Sequence, residues 1–217
     1  MKGLFIKDFY LAFRNSRNLL IFTFICLVMS LSIDPVFGVG YGILLMGTLA
    51  LGTLTYDEYD NGFPFLMSLP INSRTYIREK FLFCFLAELI GAAAGVLFSL
   101  LASVIRGQPA ALGDRLSFAA GMLPALYLML SLMIALQLKF GAEKSRLVMM
   151  IVYGGFAGIA IFVGSMKDQL LPKLSGTIAF LRGQPALLLI GALLLIFLLL
   201  VGILYRVSVK IMENKEF

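Results

Sequence analysis

Long apolar runs separated by short charged segments constrain this chain more than any other feature of its sequence. The run at residues 186–205 is almost unbroken leucine and other apolar side chains. A helix of about 20 apolar residues crosses the hydrocarbon core of a bilayer. With 60% hydrophobic and 14% charged residues, the chain lies outside the usual composition of soluble domains. The pattern therefore predicts an all-α polytopic membrane protein.

Six apolar runs are long enough to be interpreted as membrane spans. They cover residues 19–33, 36–55, 81–105, 117–138, 147–165 and 186–205. The second run is rich in glycine, which predicts close approach to a neighbouring helix. We therefore expect a single transmembrane domain over residues 1–217, with no room for a sizeable soluble domain.

Two of the connections between the predicted spans are informative. Residues 139–146 are expected to form a tight loop. Residues 166–185 carry leucines among polar residues and are expected to form a longer outer loop. A re-entrant segment in the outer leaflet is one interpretation of this second connection.

Residues 1–18 alternate charged and apolar side chains before the first span. Phe5, Phe9 and Phe13 recur at four-residue spacing, which places them on one face of a helix. This spacing predicts an amphipathic helix that lies in the membrane interface. The alternative is a basic flank that only orients the first span.

The lysines and arginines are distributed unequally between the two sides of the predicted topology. Six spans place both termini on one side, and more than twice as many basic residues fall on that side as on the other. Such an excess is typical of cytoplasmic loops. Both termini and the segment 56–80 are therefore predicted to be cytoplasmic, in a multi-pass protein of the plasma membrane.

Several classes of enzyme are excluded because the chain lacks the residues that their chemistry requires. The chain has no histidine, which excludes His-based zinc proteases and Ser-His-Asp hydrolysis. It has no glycine-rich phosphate loop, so it is not expected to hydrolyse ATP by that mechanism. Cys26 and Cys84 lie inside apolar runs and predict no disulfide framework. We expect no catalytic, cofactor-binding or metal-binding residue and no nucleic acid partner.

Residues 56–80 form the longest polar interruption on the predicted cytoplasmic side. The segment begins with acidic residues, breaks at Asn61-Gly62, and continues with a short apolar stretch that Pro70 terminates. An exposed apolar patch with charged flanks is typical of a protein-binding element. The alternative is that the apolar side chains dip into the lipid interface. The side chains expected to be presented are Phe63, Phe65, Leu66 and Met67.

The basic residues that end this segment, Arg74, Arg78 and Lys80, are interpreted as membrane anchors. Within the predicted spans, Glu88 stands out because it lies about two helical turns beyond Lys80. A carboxylate at this depth marks a cavity, a pairing partner or a transport pathway. The alternative is a neutral or snorkelling carboxyl group paired with a lysine at the cytoplasmic end, such as Lys139. A stand-alone secondary transporter or channel is the alternative function that such a carboxylate would serve.

The segment 56–80 also resembles the corresponding part of the ABC-2 type exporter permeases. The similar residues are Tyr56-Asp57-Glu58, Asn61-Gly62, Leu66-Met67-Ser68-Leu69-Pro70, Arg74 and Lys80. The chain is most similar to small bacterial permeases such as those of phenol-soluble modulin and other peptide exporters. Six spans, an interfacial N-terminal helix and a longer outer loop fit the same family.

The resemblance implies a bacterial permease subunit that pairs with a second copy of itself or with a paralogous permease. Two separate ATP-binding subunits would carry the ATP and magnesium and dock beneath it, through a cytoplasmic coupling helix between spans two and three. The implied cargo is an amphipathic toxin or antimicrobial peptide, with drugs or lipids as alternatives. The implied docking residues are Asp57, Glu58, Asp60, Phe65, Leu66, Met67, Leu69, Pro70 and Arg74, and Glu88 is a candidate pathway residue.

Overall fold

The computed structural model describes residues 2–13, 16–59, 62–68, 71–107, 111–165 and 185–215. Within these ranges the chain forms helices and turns, and no β-strand. The helices are α1 (Lys2–Phe13), α2 (Ser16–Ser32), α3 (Phe37–Glu58), α4 (Gly62–Ser68), α5 (Ser73–Ile105), α6 (Leu112–Ser165) and α7 (Ala186–Glu213). The outer loop predicted at 166–185 lies almost entirely outside the described residues.

Among the described residues, four helical stretches are long and apolar enough to cross a membrane. They are Phe37–Glu58, Ser73–Ile105, Leu112–Val152 and Leu188–Glu213. α2 contributes a shorter apolar stretch, Leu19–Ser32. An all-helical chain with several candidate spans is thus confirmed, while the count of six spans stays a prediction.

The helices extend beyond the predicted spans into the segment 56–80. α3 continues to Glu58, and α5 already begins at Ser73. Only the short helix α4 separates them. The polar residues near both ends of the segment therefore belong to the long helices rather than to a loop.

α6 is interrupted at Gly141, whose backbone angles of φ 82° and ψ 168° are not helical. The prediction of a loop at residues 139–146 is wrong, because the chain is helical on both sides of this one residue. Glycine adopts positive φ without a steric penalty, so a single residue is enough to redirect the chain. The predicted fourth and fifth spans, residues 117–138 and 147–165, fall on either side of this break, and two separate crossings of the membrane stay a prediction.

The packing of α3 against α5 forms the centre of the bundle. A Cβ atom added to Gly91 would lie 2.9 Å from Cβ of Met46 on α3. About one turn further along α5, a Cβ on Gly95 would lie 2.7 Å from the carbonyl oxygen of Gly38. Glycine allows helices to approach closely where no hydrophobic force drives them together. The predicted close approach of the glycine-rich second run is confirmed.

Among the residues that the structure describes, buried apolar side chains form two clusters. The larger one contains Tyr76, Ile77 and Leu138 and joins every described helix except α2. The smaller one lies around Val39 and Ile43, between α3, α5 and α6. α7 differs from the other long helices, because most of its leucine and isoleucine side chains remain exposed along its length. Such a surface is suited to lipid.

Polar contacts mark the two ends of the bundle. At one end, a guanidinium nitrogen of Arg106 donates to the carbonyl oxygen of Ile33 over 3.2 Å, and Arg115 donates to Ser103 over 2.9 Å. At the other end lie the start of α5, the last turns of α3 and α7, and the break at Gly141. We call this second end the polar end.

Candidate functional site

A cluster of charged residues, most of them buried, joins α1, α3 and α5 at the polar end. We call Lys7, Asp8, Asp57, Glu79 and Lys80 the ion cluster. Nζ of Lys80 lies 2.8 Å from Oδ2 of Asp57 and also pairs with Asp8. Nζ of Lys7 lies 2.5 Å from Oδ1 of Asp57 and 3.1 Å from Oδ1 of Asp8. Asp57 and Asp8 therefore share both ammonium groups.

Two hydroxyl groups complete the coordination of these ions. Tyr76 donates to Oδ2 of Asp57 over 2.8 Å. Lys80 donates to Oγ1 of Thr53 over 3.0 Å, and the same hydroxyl lies 3.1 Å from Oδ2 of Asp8. Ion pairs out of contact with water are stable only when such additional hydrogen bonds satisfy them. This arrangement fixes the end of α3 and the start of α5 to α1.

Glu79 gives the ion cluster one carboxylate more than it has ammonium groups. Its side chain is buried, and neither of its oxygens has a hydrogen-bond partner among the described residues. A buried carboxylate without a partner is unfavourable in its charged form. The ion cluster is therefore densely paired around Asp8 and Asp57 but not around Glu79.

The ion cluster changes the interpretation of two residues of the segment 56–80. Lys80 is 1% exposed, so its predicted role as a membrane anchor is wrong. Asp57 is buried and bonded within the chain, which leaves its carboxylate unavailable at the surface. The negative charge that was expected to be presented by Asp57 is neutralised inside the bundle.

The next residue, Glu58, contacts a different helix. Its Oε2 accepts a hydrogen bond from the backbone N–H of Ala142 over 2.8 Å, directly after the break at Gly141. A cavity of about 320 Å³ lies beside this contact and is lined by Glu58, Tyr59 and residues 140–144. The last turn of α3 thus connects to α5 through Asp57 and to α6 through Glu58.

α4 packs against the bundle through one of its faces. Phe63 and Leu66 are buried, and the ring of Phe63 makes an edge contact with Tyr76 at a centroid distance of 6.0 Å. The ammonium group of Lys215 lies 4.7 Å from the centre of the Phe63 ring. Phe63 and Leu66, which were expected to be presented to a partner, are buried and hold α4 in place. The docking role of Leu66 stays a prediction. Phe65, by contrast, is 68% exposed.

The other predicted docking residues divide into two groups. Arg74 is exposed and pairs with Glu213 at 3.1 Å, which connects the start of α5 to the end of α7. The remaining positions, Asp60, Leu69, Pro70 and the side chain of Met67, lie outside the described residues. Their roles stay a prediction.

Glu88 is completely buried on α5 and faces the glycine-rich helix α3. A Cβ on Gly47 would lie 3.3 Å from its Oε1. Neither oxygen of Glu88 has a hydrogen-bond partner among the described residues. The alternative of a pair with Lys139 is wrong, since that ammonium group lies over the ring of Phe140. A role in a transport pathway stays a prediction.

Asp8 was not among the residues predicted to be functional, although its spacing carries a signal. Leu4, Asp8 and Ala12 recur every four residues and form the buried face of α1. The predicted phenylalanine face lies beside it, with Phe5 in contact with Phe83 and Phe9 largely exposed. A carboxylate on a face with leucine and alanine indicates a buried cation as its partner.

Comparison with known proteins identifies the family to which the chain belongs. The model of the ABC-2 family transporter protein matches residues 3–213, a range that includes the ion cluster, α4 and the break at Gly141. No significant match is found among curated proteins or among solved structures. The family predicted from the segment 56–80 is confirmed by a match that extends over nearly the whole sequence. This chain therefore belongs to the ABC-2 family of transporter proteins.

Proposed function

We propose that the chain is the permease subunit of a bacterial exporter for amphipathic peptides, that it pairs with a second permease copy, and that it docks its ATP-binding subunits through the polar end. Family membership supports a multi-pass membrane subunit of an ATP-binding-cassette exporter, with ATP hydrolysis in a separate subunit. The peptide cargo and the pairing rest on the resemblance of residues 56–80 to small peptide exporters.

The observation that carries the docking proposal is the division of α4 into two faces. Phe63 and Leu66 attach α4 to the bundle, while Phe65 on the same short helix remains exposed. Tyr56 and Tyr59 at the end of α3 are exposed as well. Aromatic side chains are enriched at protein interfaces and often dominate their binding energy. We therefore assign Tyr56, Tyr59 and Phe65 to the docking surface.

The ion cluster gives this surface a rigid connection to the long helices. α4 lies between the end of α3 and the start of α5, and these two ends are bonded to each other by Asp57, Tyr76 and Lys80. Displacement of α4 by a partner would therefore move α3 and α5 together with α1. A partner can drive such a change only if its contacts differ between two states of the permease.

The distribution of exposed cations supports a cytoplasmic position for the polar end. Lys2, Arg78, Lys144, Arg206 and Lys210 are exposed on the segments that meet there. An excess of lysine and arginine marks the cytoplasmic side of membrane proteins. ATP is available to a partner subunit on that side.

Co-purification tests the docking proposal. The tagged chain is expressed together with candidate ATP-binding subunits, as wild type, as Phe65→Ala and as the control Phe37→Ala. Phe37 is also an exposed phenylalanine, but it lies at the first residue of α3, away from the polar end. We expect Phe65→Ala to reduce retention of the ATP-binding subunit at least about ten-fold, as loss of a central aromatic contact does.

The outcomes separate the parts of the proposal. Failure of the wild type to retain any ATP-binding subunit would overturn the exporter assignment. Equal retention by Phe65→Ala and by the wild type would overturn the docking role of α4. ATP-dependent uptake of a cationic amphipathic peptide into inverted vesicles tests the cargo class, and transport of a lipid analogue alone would contradict it.

A further inference from the structure

We propose that Glu58 is a positioning residue that connects the docking surface to the break in α6, so that movement of the last turn of α3 changes the angle between the two parts of α6. This inference rests on the proposed docking function. When a partner binds at α4 and Tyr59, the angle between the two parts of α6 is expected to change.

The contact has the geometry of a helix cap supplied by another helix. Ala142 is the first residue of the second part of α6, and its N–H is among the groups that a helix leaves without an internal partner. Oε2 of Glu58 accepts from this N–H over 2.8 Å. A carboxylate is also favoured there by the partial positive charge of a helix N-terminus.

Gly141 makes the contact possible in two ways. Its φ of 82° lies in the left-handed region, which side chains other than glycine rarely adopt. In addition, a Cβ atom at this position would lie 2.6 Å from Oε1 of Glu58. The carboxylate therefore occupies the space that the absent side chain leaves free.

The two parts of α6 are held by different sets of contacts. In the first part, Gln137 donates to Oγ1 of Thr55 over 2.9 Å, and Lys215 donates to the carbonyl oxygen of Leu138 over 3.4 Å. At the break, the second part is bonded to α3 through Glu58. The first part thus stays attached to α3 and α7 if the Glu58 contact opens.

Glu58 also has freedom that its neighbour Asp57 lacks. Asp57 is bonded to Lys7, Tyr76 and Lys80 and is buried. Glu58 is half-buried and borders the cavity of about 320 Å³ at the break. Because the cavity provides space for another position of the carboxylate, the cap can form in one state of the permease and open in another.

The first experiment measures the cap in the purified permease without any ATP-binding subunit. Hydrogen exchange of the amides at residues 142–145 is compared in the wild type, Glu58→Ala, Glu58→Gln and the control Glu143→Ala. Glu143 is an exposed carboxylate at the same break. We expect exchange to accelerate about five-fold in Glu58→Ala, the usual effect of losing an N-cap, and less in Glu58→Gln, which keeps an acceptor oxygen.

Gly141→Ala provides an independent variant. Its methyl group should move the Glu58 carboxylate away from Ala142 without changing the residue at position 58. It is expected to accelerate exchange at residues 142–145 at least as much as Glu58→Ala. Exchange in Glu58→Ala equal to that of the wild type would overturn the cap.

The second experiment measures the consequence for transport in the assembled exporter. Export is expressed per ATP-binding subunit retained, and Glu58→Ala is expected to reduce it at least ten-fold, with partial rescue by Glu58→Gln. Unchanged export per retained subunit would overturn the connection to α6, and so would a loss of export that is fully explained by loss of subunit retention. If even the wild type fails to retain an ATP-binding subunit, the docking proposal fails, whereas the exchange experiment still decides the cap.

Discussion

The hydroxyl of Tyr76 donates to Oδ2 of Asp57 over 2.8 Å, in a position where Tyr76 has no exposed surface. This contact joins the first turn of α5 to the last turn of α3 across the short helix α4. It places a residue that was expected to face a partner inside the protein instead. A buried hydrogen bond to a charged group therefore joins the two helices that flank α4.

Replacing Tyr76 with Phe should reduce the free energy of unfolding by about 1.5–3 kcal/mol, because a buried hydrogen bond to a charged group is lost. The measurement is denaturant-induced unfolding of the purified protein in detergent. Tyr10→Phe is the control, since Tyr10 is exposed on α1. An equal effect of the two substitutions would contradict the role of the Tyr76 hydroxyl.

Replacing Lys80 with Met should destabilise the protein by about 3–5 kcal/mol, because Asp8 and Asp57 would be left buried with Lys7 as the remaining cation of the ion cluster. Lys2→Met, at an exposed position of α1, should change stability little. The double variant Asp8→Asn with Lys80→Met should recover part of the loss, since one uncompensated charge is removed with its partner. Additive effects of the two changes would argue against a shared ion pair.

Replacing Gly95 with Ala should destabilise the bundle by about 1–3 kcal/mol, because the new methyl group has no space between α5 and Gly38 of α3. Gly52→Ala is the matched control, since nothing lies within 4 Å of a Cβ at that position. Alanine there should leave stability unchanged or raise it by up to about 1 kcal/mol through its helix propensity. Thermal unfolding of the two variants, measured side by side, shows whether steric packing or helix propensity determines the effect of Gly95→Ala.

Replacing Glu88 with Met should increase the free energy of unfolding by about 1–3 kcal/mol, because two buried oxygens without partners among the described residues are removed at similar volume. Glu143→Met, at an exposed position, should leave stability unchanged. If Glu88 serves a transport pathway, the more stable variant should also lose export. A destabilised Glu88→Met would instead show that the carboxylate contributes to folding, and unchanged export would exclude the pathway role.

The helical class and several local features could be predicted from the sequence because they depend on near neighbours along the chain. Apolar runs predict helices long enough to cross a bilayer, and the glycines of α3 predict its close approach to another helix. The motif around residues 56–80 indicated the ABC-2 family, which the match over residues 3–213 confirms. Each of these signals is contained in a short stretch of sequence.

The break in α6 shows where prediction of local structure failed. Four charged residues at positions 139–146 favoured a loop, yet Gly141 alone redirects the chain and the flanking residues stay helical. The charged side chains stay exposed at the polar end without interrupting the helix. Charged residues in the sequence indicate exposure to water. A helix that extends beyond the apolar bundle provides this exposure as well as a loop does.

The sequence by itself determined that acidic and apolar side chains are concentrated between residues 56 and 70. Only the tertiary structure decided which of them stay at the surface. Asp57 is bonded to cations from α1 and α5, Glu58 caps α6, and Phe63 packs on Tyr76, while Phe65 remains exposed. The physical reason is that a buried charge or ring needs partners, and these partners come from helices that are distant in sequence and meet only when the bundle packs.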